Sequence, residues 1–253
     1  MKITLVQSSP SEGGTEVTLE RLDDLIGQGT GADFYFLPEM FASGQALDPS
    51  GIAQDMDGSI VNWLRHTSAR LDAAVAGSLA IKESDHFYNR FCMAKPDGTV
   101  ISYDKHHLFT YGGEKERFSC GEQAVTVEWR GIRFRLCVCY DLRFPVWLRN
   151  TDRYDALICV ANWPKPRRDN WDLLLRARAL ENQCYVIGVN RVGDDPVCHY
   201  DGGTAFVDPY GNVQASCPDC TECECSGTID KKLLDEFRAK FPVLEDADKF
   251  IIQ

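Results

Sequence analysis

The sequence is first informative for what it lacks. Its longest apolar runs fall well short of the ~20 residues that a membrane-spanning helix requires, so no membrane partner is expected. The opening Met1-Lys-Ile-Thr-Leu-Val-Gln-Ser is too short and polar for an export signal, and reads instead as a first strand. Positive charge is scarce: 27 Lys and Arg face 38 Asp and Glu, a net charge of −11. Phosphate backbones need a basic face, so nucleic acid is not an expected partner. Histidines are few, and none shows a metal-ligand spacing. There is no His-Glu-x-x-His, and no His-x-Glu to accompany a deaminase-type cysteine pair. The glycine pairs Gly112-Gly113 and Gly202-Gly203 lack a phosphate-loop context. Linkers, repeats and low-complexity stretches are also missing. The 253 residues therefore read as a single domain over 1–253 with a substantial core.

Cysteine is abundant instead, and its number, 11, is odd. Without an export signal, a reduced cytoplasmic setting is expected rather than a disulfide scaffold. Four of the thiols lie in Cys217-Pro-Asp-Cys220-Thr-Glu-Cys223-Glu-Cys225. Zinc sites normally join pairs from separated parts of a chain. Here Cys223 and Cys225 stand two apart in a predicted strand, sharing one face and packing inward, so no metal is expected.

The elements alternate. Strands are predicted over Lys2–Ser8, Phe34–Leu37, Ala73–Ile81, Tyr88–Ala94, Thr99–Tyr103, Val125–Trp129, Ile132–Val138, Ala156–Ala161 and Tyr185–Val192. A final meander is predicted from Thr204–Val207, Val213–Ser216 and Thr221–Ile229. Helices are predicted over Thr15–Gln28, Ile60–Leu71, Pro145–Thr151, Asn170–Gln183 and Lys231–Lys240. Such alternation suggests mixed sheets covered by helices, an α/β protein. Pattern alone does not choose among α/β layer arrangements.

Three strand ends carry reactive side chains. In Gly131-Ile-Arg-Phe-Arg-Leu-Cys-Val-Cys-Tyr-Asp-Leu-Arg-Phe-Pro145 a buried strand breaks at Cys139, which puts a thiol at a bend at the edge of a sheet. A serine nucleophile elbow has the same mechanical logic. A lone buried cysteine is more often an inert small hydrophobe. Two further segments change that balance. Phe34-Tyr-Phe-Leu-Pro-Glu39 stops strand pairing at Pro38 and delivers Glu39. Ser102-Tyr-Asp-Lys105-His-His-Leu-Phe109 delivers Lys105, otherwise an ordinary surface lysine.

The order Glu39, Lys105, Cys139 resembles the nitrilase superfamily of carbon–nitrogen hydrolases. The resemblance extends over nearly the whole chain, through Ala161-Asn-Trp-Pro164, Arg176-Ala-Arg-Ala-Leu-Glu-Asn-Gln183 and Phe241-Pro-Val-Leu-Glu-Asp-Ala-Asp248. Within it the chain is most similar to the omega-amidase branch. The resemblance implies a four-layer α-β-β-α sandwich and a homodimer or higher homo-oligomer. It implies cleavage of the terminal amide of a small dicarboxylate monoamide through a cysteine thioester, with no cofactor. Carbamoyl-amino-acid hydrolases, aliphatic amidases and nitrilases share the same three residues. A non-catalytic binding protein of this fold is the alternative of a different class.

In that family Cys139 would be nucleophile, Glu39 general base, and Lys105 with the Tyr140 N–H the oxyanion donors. A second glutamate near the lysine is also implied. Glu114 is favoured because its seven-residue distance to Gly121 resembles the spacing in a related amidase, with Glu116 left open. Arg143 is a candidate for a substrate carboxylate, followed by the Lys165-Pro-Arg-Arg168 run. Bracing of neighbouring loops is its ordinary role. Trp163 and Tyr111 are candidate pocket walls, or simply packing aromatics.

Overall fold

Alternating strands with one apolar face, separated by amphipathic helices, must bury those faces against one another. The computed structural model, which describes residues 1–27, 31–44 and 48–252, shows how. In chain order the elements begin with β1 (Lys2–Gln7), α1 (Thr15–Gly27), β2 (Phe34–Phe36), α2 (Ser59–Leu71), β3 (Ala74–Glu83), β4 (His86–Ala94) and β5 (Val100–Asp104). There follow β6 (Thr126–Trp129), β7 (Ile132–Val138), β8 (Ala156–Ala161), α3 (Arg168–Asn182), β9 (Tyr185–Asn190), β10 (Val192–Asp194) and β11 (His199–Asp201). The last are β12 (Ala205–Val207), β13 (Val213–Ser216), β14 (Cys223–Thr228) and α4 (Lys231–Lys240). The end predicted for α1, Gln28, lies outside the described residues.

Two six-stranded mixed sheets result, ordered β14-β1-β2-β3-β4-β5 and β13-β12-β9-β8-β7-β6. Period-two alternation assigns their faces. Ile3, Leu5, Phe34, Phe36 and Phe91 of the first sheet meet Phe134, Leu136 and Val138 of the second. Phe34 and Phe134 touch edge to face, with ring centroids 5.3 Å apart. The other face of the first sheet, with Val6, Tyr35 and Val75, receives Leu19, Leu22 and Ile26 of α1 and Ile60, Val61 and Leu64 of α2. On the second sheet Trp171, Leu175 and Ala179 of α3 play the same part. Gly188 permits that contact, since a Cβ there would stand 2.5 Å from Leu175. The four-layer α-β-β-α sandwich is thereby established. Among the described residues no helix is long and apolar enough to cross a membrane.

The predicted Arg130-Gly131 hairpin turn joins β6 to β7, with both residues left-handed at φ 47° and 79°, as a tight hairpin requires. Three expectations need correction. Pro145–Thr151 is not a helix. A 3₁₀ turn over Cys139–Arg143 comes first and ends at Phe144, which is extended before Pro145 as steric clash with the proline ring demands. The strand predicted over Tyr185–Val192 breaks after Asn190; β10 pairs with β11 instead of extending β9, and their connecting loop is carried to the site described below. The terminal meander is not continuous. β12 and β13 pair, but β14 crosses to the first sheet and pairs antiparallel with β1, from Lys2↔Thr228 to Gln7↔Cys223. Gln7 fixes the crossing: its amide donates to the carbonyls of Pro218 and Thr221 at 2.8 and 2.9 Å. In this position Cys223 and Cys225 are half-buried. The Cys217 thiol lies 3.6 Å from the Cys223 carbonyl, and Cys220 points toward His199.

Candidate active site

The three strand ends converge. After β2, Leu37 still donates to Ala76 O at 2.7 Å, but Pro38 has no N–H, and the ladder stops. Met40 then turns left-handed with φ 47°, its N–H held by Ser78 Oγ at 3.1 Å. Glu39, between them, is turned inward and buried. Beyond β5 the Lys105 N–H donates to Asn89 O at 2.9 Å, which sends the lysine side chain into the same buried space.

Cys139 follows β7 in a left-handed conformation, φ 47°, a strain of about 1–3 kcal/mol for a residue with a Cβ. Asp141 holds the turn. It is wholly buried and accepts from Val138 N at 3.0 Å, His107 N at 2.8 Å, His107 Nδ1 at 2.9 Å and the Tyr103 hydroxyl at 2.7 Å. Those contacts bind the Cys139 turn to the segment that carries Lys105. Cys139 itself is half-buried, recessed but open to a cavity.

Lys105 Nζ donates to Glu39 Oε1 at 3.0 Å and to Glu114 Oε1 at 2.8 Å. Glu114 sits in the short 3₁₀ helix Glu114–Glu116, its other oxygen accepting from Phe109 N at 2.7 Å. Glu116 is exposed. The geometry therefore separates the two candidate glutamates. Two groups at Glu39 were given no role from the sequence: the Asn89 amide donates to Oε1 at 2.7 Å, and the Asn162 N–H donates to Oε2 at 2.7 Å. Asn89 lies mid-strand in β4, where only pairing register can reveal which way it faces.

Burial alone would discharge Lys105, but Glu114 and then Glu39 outweigh it and hold the ammonium well above the usual lysine range. The Cys139 thiol moves up as well. Burial is the largest cause, Glu39 adds to it, and the pull of Lys105 does not offset them. Two carboxylates face one ammonium, so a thiolate would add a further negative charge to a site already negative. Burial and the carboxylates therefore favour the protonated form of the Cys139 thiol.

A cavity of about 460 Å³ opens over these groups. Glu39, Lys105, Glu114 and Cys139 line it, together with Tyr140, Arg143 and Trp163. Trp163 is a buried wall. Tyr111 also lines the cavity but is 89% exposed, at the mouth rather than inside. Arg143 ends the 3₁₀ turn, and its guanidinium lies over Trp163 at 4.8 Å. Of the Lys165–Arg168 run, Arg167 faces the cavity, while Arg168 is committed to Asp172, Asp201 and Asp219. The Asp195–Cys198 loop closes one side, a contribution invisible in the sequence because it depends on the β10–β11 hairpin.

Two sheets back to back, with a buried glutamate–lysine pair and a cysteine at adjoining strand ends, are the layout of a carbon–nitrogen hydrolase. The carbon–nitrogen hydrolase family pattern matches residues 2–239, and the chain belongs to that family. It is 41% identical to the omega-amidase YafV of Yersinia enterocolitica over 253 residues, covering 100% of this chain and 98% of the relative. It is 35% identical to a 2-oxoglutaramate amidase of Bacillus subtilis, covering 86% of each. The crystal structure of XC1258 from Xanthomonas campestris, a CN-hydrolase superfamily protein with an arsenic adduct in its active site, superposes with a TM-score of 0.95 at 40% identity. That match covers 100% of this chain and 99% of the other.

Proposed function

We propose that the protein is an omega-amidase: it hydrolyses the terminal amide of a small dicarboxylate monoamide, of the 2-oxoglutaramate or 2-oxosuccinamate type, and releases ammonia. The observation that carries this reading is the meeting of Lys105 with Glu39 and Glu114 inside the cavity that Cys139 also lines. The full-length likeness to an omega-amidase narrows the substrate.

The chemistry follows from those side chains. Cys139 Sγ attacks the amide carbon as its proton passes to Glu39, so thiolate and free carboxylate never coexist for long. The carbonyl oxygen gains negative charge and takes hydrogen bonds from the Lys105 ammonium and the Tyr140 N–H. Breaking the C–N bond expels ammonia, which carries away the proton held by Glu39. A water then attacks the thioester, Glu39 removes its proton, and the sulfur leaves as a thiol. Glu114 keeps Lys105 charged and aimed. The sum is amide plus water to carboxylic acid plus ammonia, with no cofactor consumed.

All 11 cysteines are unpaired, which suits a reducing, cytoplasmic compartment. Leu173 and Leu180 on α3 are exposed apolar surface that pairing of subunits would cover.

The test is ammonia release from a panel of ω-amides of keto and saturated dicarboxylates, carbamoyl amino acids, small neutral amides and nitriles. Higher kcat/KM on the ω-amides is expected. A preference for carbamoyl amino acids or nitriles would move the protein to another branch of the family. Turnover of none of them would leave a binding protein.

A further inference from the structure

The cavity is electrostatically uneven. Its catalytic end holds two carboxylates against one ammonium. Three arginines also line the cavity: Arg117, which donates to Gly112 O at 3.4 Å, and Arg143 and Arg167, neither of which pairs with a carboxylate among the described residues. Arg143 has only long contacts, 3.4 and 3.5 Å, to the Asn170 side-chain oxygen. The Arg167 guanidinium has no hydrogen-bond acceptor among the described residues; it rests over Phe109, 5.3 Å from the ring centroid. One carboxylate near the opening, Asp195, is already engaged. Its Oδ1 accepts from Val197 N and Cys198 N at 2.8 and 2.7 Å, and its Oδ2 from the Tyr200 hydroxyl at 2.7 Å.

Both arginines are held in place by the same wall. Arg143 stacks on Trp163, and the indole N–H of Trp163 donates to Arg167 O at 2.8 Å. Their half-burial and aromatic support reduce the freedom each loses on binding an anion. Guanidinium groups offer planar forks of donors that match a carboxylate, and partly desolvated forks without a partner favour one strongly.

We propose that Arg167, acting with Arg143, binds the carboxylate at the far end of the substrate and so determines which amides the enzyme accepts. This rests on the amidase reading above and deepens it. The charge pattern sets the direction of entry. A substrate carboxylate is repelled by Glu39 and Glu114 and attracted by the arginines, which leaves the amide at the opposite end, facing Cys139. Phe109, Tyr140 and Trp163 line the same cavity and accept the carbon chain. The protein carries a net charge of −11, so an anionic substrate needs such a local cationic site. Arg167 is a specificity residue; it does not touch the reacting atoms.

The experiment compares a carboxylate ω-amide with the methyl ester of the same compound, which keeps the amide and the chain but removes the charge. Arg167→Gln is expected to raise the ratio of KM for the acid to KM for the ester by about 10-fold or more, the usual worth of a charge-assisted hydrogen bond. Isothermal titration of the dicarboxylate product into Cys139→Ala, with and without Arg167→Gln, should show the same loss without reliance on turnover. An unchanged ratio together with unchanged product binding would overturn the proposal, as would equal loss on acid and ester. If the wild type cleaved neither compound, the amidase reading itself would fall. Product binding weakened by Arg167→Gln would still separate the anion site from the reaction.

Discussion

Lys105 and Glu39 meet through one carboxylate oxygen: Nζ lies 3.0 Å from Oε1, both side chains almost wholly buried. The same oxygen takes the Asn89 amide, while Oε2 takes the Asn162 N–H. The carboxylate is therefore fixed in plane by three donors from three segments of the chain. A proton acceptor held that firmly costs little reorganisation when the thiol proton arrives. Four predictions follow from the site built around this pair.

Cys139→Ala should abolish ammonia release and leave the fold intact, since a small residue replaces a small one. Cys137, two residues earlier and wholly buried in β7, should tolerate Ala at a cost of about 1 kcal/mol with turnover retained. Activity assays and thermal melts on both variants check this. Substantial activity in Cys139→Ala would remove the proposed nucleophile.

Glu114→Gln should lower kcat on the order of 10–100-fold, because a lysine displaced even slightly no longer meets the developing oxyanion. Glu116→Gln, at an exposed position, should change stability by no more than about 0.5 kcal/mol and leave kcat near wild type. If the two variants exchanged these outcomes, Glu116 would be the second glutamate.

The resting thiol should titrate late. Burial and then Glu39 push Cys139 up from its ordinary value of 9.0, so alkylation by iodoacetamide should climb with pH and reach no plateau below about pH 9. A thiol whose pKa is raised by folding holds its proton more tightly in the folded state. Its contribution to stability is thus complete below 9.0 and falls away above it. Lys105, also raised by folding once Glu114 and Glu39 outweigh burial, keeps its ionic contribution in full below 10.5 and loses it progressively as the pH rises from there toward its raised folded value. Mass spectrometry of labelled Cys139 across pH 6–10 provides the check; a labelling midpoint below pH 7 would reveal a preformed thiolate.

Asp141→Ala removes a fully buried acceptor and strands the N–H groups of Val138 and His107. The cost should be at least about 3 kcal/mol, a fall in Tm of roughly 6–12 °C at this chain length. Turnover should fall too, because the Cys139 turn loses its anchor. A melt within a degree or two of wild type would show that the turn holds itself.

Much of this site was legible because strand ends announce themselves locally. Pro38 has no N–H to continue a ladder, and the apolar run of β7 stops at Cys139, so Glu39 and Cys139 are marked by chain chemistry within a few residues. Lys105 is marked the same way by the end of β5. In β7 the spacing of Ile132, Phe134 and Leu136 marked the face that packs on the first sheet.

Only tertiary structure could decide what depends on distant partners. Asn89 reads as one polar residue among the strand residues of β4, and its role appears only when register aims it at Glu39. Glu114 and Glu116 are two residues apart in one short turn, and Lys105, nine residues before Glu114, distinguishes them. β14 matches the pattern of a third meander strand, yet pairs with β1 more than 200 residues earlier because the open edge of the first sheet offers it a complete ladder. The β10–β11 hairpin that brings Asp195–Cys198 to the cavity, and the approach of the Arg143 guanidinium and the Arg167 carbonyl to Trp163, are likewise set by packing. Local sequence determines where a strand stops and which residue it presents there; long-range pairing and desolvation determine which of those residues face one another.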